Sequence, residues 1–166
     1  AMAGQLAALS GASLAVVRNA NCTSPFVATL TLPAVEQAAV LVIDDNADTL
    51  QLFQRHLAGS RYLCIGLMDP KQALQLAAEL VPRVIVLDVM LPGVDGWELL
   101  GRLREHPKTR GLPIIVCTIL PLARVALTLG AADFLQKPVT RESLLAALDR
   151  QIDSLQYRQQ GTGGSL

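Results

Sequence analysis

The sequence predicts an α/β fold, a doubly wound, five-stranded parallel sheet with helices on both faces, preceded by a small helix-and-hairpin extension. Three observations predict it. From Ala39 onward, short apolar runs alternate five times with longer amphipathic stretches, and strand–helix alternation implies parallel strands joined by right-handed crossovers. Runs such as Val84-Ile85-Val86-Leu87 are apolar throughout, the pattern of a strand buried on both faces. The runs lead into Asp44-Asp45, Asp88, Thr118 and Lys137, which places polar chemistry at the carboxyl edge where open α/β sheets bind ligands.

Composition sets the bounds. Of 166 residues, 51% are hydrophobic and 17% charged, so a sizeable core is within reach and global disorder is excluded. A formal net charge of +0 argues against broad electrostatic binding to nucleic acid or to an anionic membrane. The three cysteines, Cys22, Cys64 and Cys117, have no metal-like spacing; an odd number of cysteines, with Cys64 and Cys117 in apolar runs, fits a reducing, cytoplasmic location. The Ala-rich start, Ala1 to Val17, lacks a basic n-region and is broken by Gly4, Gln5, Ser10, Gly11 and Ser13, unlike a membrane span or signal peptide.

Residues 1–38 form the first expected unit. Gln5 to Leu9 suit a short helix; Ser13 to Arg18 and Phe26 to Leu32 read as strands, joined by the turn-rich Asn19 to Pro25. A helix plus one hairpin cannot bury its own apolar face, so this piece is expected to pack on something else. Pro33 to Ala38 read as a linker.

Residues 39–153 form the second unit. Ala39 to Ile43 is its first strand, and Asn46 caps a helix over Ala47 to Ala58 with Leu50, Phe53 and Leu57 on one face. Tyr62 to Leu67 is the second strand. Asp69-Pro70 reads as a cap followed by proline at the first helical position, opening a helix lined by Leu74, Ala77, Ala78 and Val81. Val84 to Leu87 is the third strand, followed by the breakers Pro92, Gly93 and Asp95-Gly96 and a helix over Trp97 to Arg104. Ile114 to Thr118, a brief helix over Leu122 to Leu129, and Phe134 to Gln136 follow. Thr140 caps a last helix running to about Tyr157, and residues 154–166 comprise that helix's end and a flexible Gly/Ser tail.

No Gly-rich loop follows the first strand, which removes the dinucleotide fingerprint and the P-loop. The strand ends instead gather Asp44, Asp45, Asp88, Thr118 and Lys137. Carboxylates crowded together repel one another. A hard divalent cation relieves this: Mg²⁺ takes one or two carboxylates, keeps waters and shares oxygens with phosphate. A carboxylate surrounded by a metal, an ammonium and a hydroxyl suits phosphoryl transfer onto that carboxylate. Taken singly, each feature has a plainer reading: Asp44-Asp45 as a helix cap, Asp95-Gly96 as a turn, Lys137-Pro138 as a strand end. His56 and His106 read as surface residues, and Trp97 as a packing residue beside the acceptor loop.

Asp44-Asp45, Asp88 with Pro92 and Asp95-Gly96, Thr118 and Lys137-Pro138 together resemble the receiver domain of two-component response regulators. The resemblance implies a flavodoxin-like strand order 2-1-3-4-5. It implies Asp88 as phospho-acceptor, and Asp45, Asp88 and the backbone carbonyl of Met90 as Mg²⁺ ligands with Asp44 acting through water. It also implies Thr118 as the switch hydroxyl, Phe134 as the switch aromatic, Lys137 as partner of the acceptor, and a phosphohistidine on a kinase or phosphotransfer protein as donor. Residues 5–33 resemble the last helix and hairpin of a histidine-kinase ATP-binding domain, without its glycine-rich turn, which implies the C-terminal end of a hybrid sensor kinase. A second copy docking through the end of the last helix is a further candidate contact.

Some positions depart from the family. Ile119 stands where a small residue normally follows the switch threonine, and is expected to crowd the pocket. Met90 and Leu120 are apolar where the family tunes attack by water, which implies a long-lived phosphoryl state. The segment from Thr118 to Lys137 is short, so its helix is expected to start late. Two other readings follow: a pseudo-receiver serving only as an interaction platform, and a metal-dependent phosphatase with an aspartyl nucleophile. The phosphatase family expects a second aspartate at the position of Met90.

Overall fold

The computed structural model describes residues 13–18, 26–31 and 37–161, with residues 155–161 as backbone alone. The expected helix over Gln5 to Leu9, the link 19–25, most of the linker and the tail beyond 161 lie outside the described residues. The chain divides into two units, Ala1–Glu36 and Gln37–Leu166. In the first, β1 (Ser13–Arg18) pairs antiparallel with β2 (Phe26–Thr31), as the hairpin reading expects.

The second unit opens with β3 (Ala38–Ile43), α1 (Ala47–Leu57), β4 (Tyr62–Leu67), α2 (Ala73–Leu80) and β5 (Val84–Leu87). A two-stranded ribbon follows, β6 (Met90–Leu91) with β7 (Val94–Asp95), leading directly into α3 (Gly96–Glu105). The unit closes with β8 (Ile114–Thr118), α4 (Ala123–Thr128), β9 (Asp133–Gln136) and α5 (Arg141–Gly161). The strand order is β4-β3-β5-β8-β9, parallel throughout. Counted within this unit, that is the expected 2-1-3-4-5.

Alternation of side chains along each strand divides the core into two layers. Val40, Val42, Val84, Val86, Ile115 and Cys117 face α1 and α5, meeting Phe53, Leu57, Leu144 and Leu148. Leu41, Ile43, Ile85, Leu87, Ile114 and Val116 face α2 and α3, meeting Ala77, Leu99, Leu100 and Leu103. The central strands are buried on both faces, which is why their sequences are apolar without alternation.

Local chemistry sets the element ends. The Asn46 side chain accepts from the backbone N–H groups of Asp48 and Thr49, at 2.9 and 3.1 Å, and caps α1. Thr140 caps α5 by accepting the Ser143 N–H at 3.1 Å. That helix continues unbroken through 154–161, so the expected boundary at 153 cuts across a continuous element. α4 starts late, as the short segment implies, and has no side-chain cap.

Two expectations need correction in the region of α2. Pro70–Gln72 forms a 3₁₀ turn, and the α-helix begins only at Ala73. Val81 does not line the helix. It ends it in the left-handed region at φ 45° and is 53% exposed. Pro82 follows, and its ring disfavours a right-handed helical conformation in the preceding residue. A β-branched side chain is strained at positive φ. Val81→Gly is therefore expected to raise stability by about 1 kcal/mol, read as a higher urea midpoint at unchanged slope; an unchanged or lower midpoint would refute the strain.

Candidate functional site

The carboxyl edge of the sheet carries the site. β3 ends at Ile43 and delivers Asp44; β5 ends at Leu87 and delivers Asp88. Both aspartates are buried, at 2% and 7% exposure. Their neighbouring backbones are tied together, with the Asp88 N–H donating to Ile43 O at 3.0 Å. β9 ends at Gln136 and delivers Lys137 from the far edge. The Lys137 N–H donates to Thr118 O at 3.0 Å, which joins the β8 and β9 ends.

Lys137 Nζ bridges the two aspartates, donating to Asp44 Oδ2 at 2.6 Å and to Asp88 Oδ2 at 2.5 Å. Burial works against the ammonium charge, but the hydrogen bonds to Asp44 and Asp88 outweigh it and raise the Lys137 pKa above the ordinary lysine value. The other oxygens are held by backbone donors. Asp44 Oδ1 accepts the Asn46 N–H at 2.9 Å, and Asp88 Oδ1 accepts the Met90 N–H at 2.8 Å. Each carboxylate is thereby fixed at both oxygens.

The loop after Asp88 is pinned by close packing. Asp95 caps α3 by accepting from the N–H groups of Trp97 and Glu98, at 2.9 and 3.3 Å. Gly96 packs against the backbone of Val89: a Cβ built there would lie 2.3 Å from Val89 Cα and 2.6 Å from Val89 O. In the ribbon between, Leu91-Pro92-Gly93-Val94 forms the turn, with Gly93 at φ 70°. Proline followed by a positive-φ glycine is the chemistry of a type II turn. Reading 88–96 only as breakers misses this ribbon, although the Pro-Gly pair between Leu91 and Val94 signals it.

The remaining sequence candidates fall around this centre. Thr118 is fully buried; its hydroxyl has only a long 3.5 Å contact from the Leu120 N–H. Phe134 is half-buried and packs on the core layer of α2 and α3, as does Trp97. Met90 is 49% and Ile119 60% exposed, so neither side chain fills a pocket. His56 and His106 are partly exposed at the surface. His56 Nε2 lies 3.2 Å from Val139 O, and His106 Nδ1 accepts the Lys108 N–H at 3.3 Å. The direct Lys137–Asp44 contact is not among those the resemblance implies, which pair that lysine with the acceptor or its phosphate. Burial pushes the neighbouring Cys117 thiol up to about 12, which removes it as a nucleophile.

Lys137 contacts two carboxylates, those of Asp44 and Asp88, and Asp45 follows Asp44 directly in the chain. Among the described residues, no side-chain hydrogen bond or ion pair engages Asp45. Nor is any group of three His, Cys, Asp or Glu residues close enough there to cage a metal. Hard oxygens, net negative charge and an open carboxylate fit Mg²⁺, which is held by one or two carboxylates with waters and ligand oxygens completing its shell.

With this geometry in place, comparison with known proteins defines the class. The family model for the response regulator receiver domain matches residues 40–149, and the chain belongs to that family, whose place is in two-component signalling. It is 38% identical over 112 residues to the response regulator PleD of Caulobacter vibrioides, and 32% identical over 130 residues to the transcriptional regulator NtrC of Escherichia coli. Those matches cover 66% and 76% of this chain but only 25% and 27% of the two relatives. Among solved structures, the chemotaxis protein CheY4 of Vibrio cholerae aligns with a TM-score of 0.63 at 28% identity, over 69% of this chain and 98% of that one. The receiver domain of the sensor histidine kinase PA1611 of Pseudomonas aeruginosa aligns with a TM-score of 0.64 at 28% identity, over 70% and 98%. That structure has a magnesium ion coordinated in its active-site cleft.

Two predictions follow from the geometry. Gly96→Ala is expected to cost about 3 kcal/mol, because the clash is with the Val89 backbone and the loop after Asp88 must move; an unfolding midpoint matching the parent's would refute the close approach. Lys137→Met leaves two buried carboxylates without their cation and is expected to cost about 3 kcal/mol at neutral pH. In the parent, the lysine's contribution is complete below its ordinary pKa and fades as pH climbs through the raised one. Urea melts of parent and variant at neutral and alkaline pH test both statements.

Proposed function

We propose that the chain is a phospho-accepting receiver whose acceptor is Asp88. The observation that carries this reading is the buried carboxylate pair bridged by Lys137. It holds Asp88 at both oxygens, at the end of a rigid central strand, with the Lys137 ammonium shared between it and Asp44. In the reaction, an Asp88 oxygen attacks the phosphorus of a phosphohistidine. The P–N bond of the donor breaks, and the imidazole leaves with the bonding electron pair. Lys137 already touches Asp88 and neutralises charge that develops on the transferred group.

Asp45, Asp88 and the Met90 carbonyl would hold Mg²⁺ directly, with Asp44 reaching it through water; when bound it supplies further neutralisation of phosphoryl oxygens. Thr118, buried at the adjacent strand end, is the hydroxyl that would answer the new phosphoryl group, with Phe134 moving with it. The two side chains bias a pre-existing equilibrium, and a partner reads the shifted face. The donor is a histidine kinase or a histidine phosphotransfer protein. The β1–β2 hairpin, which precedes the receiver in the chain, supports a hybrid sensor kinase as the parent protein, with the cytoplasm as its expected location. No helix among the described residues is long and apolar enough to cross a membrane.

The exposure of Ile119 bears on the rival pseudo-receiver. Its side chain lies largely in solvent, which supports an accessible acceptor. Met90 and Leu120 have no side-chain group that could orient an attacking water, so the phosphoryl group is expected to persist. Incubation with acetyl phosphate and Mg²⁺ is expected to add one phosphoryl mass, absent from Asp88→Ala and absent without Mg²⁺. Failure to gain that mass from either acetyl phosphate or a phosphohistidine protein would favour the pseudo-receiver. Decay within seconds at neutral pH would refute the long-lived state.

A further inference from the structure

The two edges of the sheet are guarded differently. β9 has four residues, pairs its Asp133 with Arg150 at 2.7 Å, and runs into Lys137-Pro138. Short length, charge and proline are the devices that keep edge strands from pairing with other chains. β4, the opposite edge, has none of them. Its six residues, Tyr-Leu-Cys-Ile-Gly-Leu, are uncharged and free of proline.

Its outward backbone groups can be assigned. Ala38 N–H donates to Arg61 O and Asp44 N–H donates to Leu67 O, so odd-numbered residues turn their backbone toward β3. By alternation, Cys64 and Gly66 turn their N–H and C=O groups to the open edge. Beside the start of the strand is a groove of about 240 Å³ lined by Gln37, Gln54, Leu57, Tyr62, Leu63 and Cys64. Two large apolar side chains stand exposed at the ends of this edge, Leu63 at 48% and Met68 at 52%.

We propose that this edge docks the same edge of a second copy, antiparallel, about a two-fold axis at Ile65. The strand is complementary to itself in that register. Cys64 faces Gly66 of the second copy, and the two exchange both backbone hydrogen bonds, twice by symmetry. Met68 of the second copy falls beside Tyr62, over the groove, and Leu63 meets Leu67. The ends carry opposite charges: Arg61, which also pairs with Asp149 and Asp153 of its own chain, precedes the strand and Asp69 follows it, so each Arg61 comes level with Asp69 of the other copy. The pairing joins two five-stranded sheets into one and leaves both acceptor sites at strand ends, outside the interface. It does not depend on phosphorylation of Asp88.

Sedimentation equilibrium of the whole chain, together with amide hydrogen exchange at low and high protein concentration, tests this. The expected result is a dimer whose Cys64 and Gly66 amides exchange about tenfold more slowly, or slower still, at high concentration. Leu63→Lys and Met68→Lys, both at exposed positions, are expected to give monomers that fold, melt as the parent does at concentrations where it is monomeric, and show no such protection. A monomer at all concentrations overturns the proposal. So does a dimer in which those two amides stay unprotected, which would place the contact elsewhere. Protection that is independent of concentration also overturns it, because the edge is then covered within one chain. Should the variants fail to fold, the concentration dependence in the parent chain decides alone.

Discussion

The Lys137 ammonium held between Asp44 and Asp88 is the contact on which the site depends. Two carboxylates brought almost wholly out of water, each at the end of a neighbouring strand, repel one another and would each favour a proton. One cation shared between them removes the conflict. It also ties the first, third and fifth strands of the receiver sheet together at their carboxyl ends, across the edge where the chemistry takes place. The cost of burying three charges is offset by their mutual contacts and by the backbone donors of Asn46 and Met90. Asp88 is therefore held in a fixed place by contacts at both of its oxygens.

This arrangement needs a rigid base, and the two-layered core supplies it. The central strands alternate their side chains between α1 and α5 on one face and α2 and α3 on the other, so no strand end can shift without disturbing both layers. The more adjustable parts lie on the far side of the site. α4 is short, starts late and lacks a side-chain cap. Thr118 and Phe134 flank that segment, one buried and one half-buried. An element weakly held by its own hydrogen bonds is the one that moves most readily.

Much of the candidate site was legible in the sequence because each functional residue sits at the end of an apolar run. A strand buried on both faces must be apolar, so an aspartate or lysine at its end marks the edge of the sheet. Asn46 and Thr140 were likewise readable as caps, since a short polar side chain ahead of a helical pattern satisfies free N–H groups. The β6–β7 ribbon was missed because two-residue strands have no periodicity to read. The behaviour of Val81 was missed because an apolar residue at helical spacing looks like core; only the conformation forced ahead of Pro82 turns it out to solvent.

By itself, the sequence determined the number and kind of elements, the parallel sheet, and the short list of polar residues at its carboxyl edge. These follow from local pattern: which stretches can be buried, and where the pattern breaks. Only the tertiary structure decided which of those residues touch. That Lys137 contacts Asp44 as well as Asp88, that Gly96 lies against the Val89 backbone, and that Ile119 points to solvent are matters of distance between segments far apart in the chain. Side-chain periodicity carries no information about such distances. They arise when crossovers bring strand ends side by side, and packing leaves each side chain one place to go.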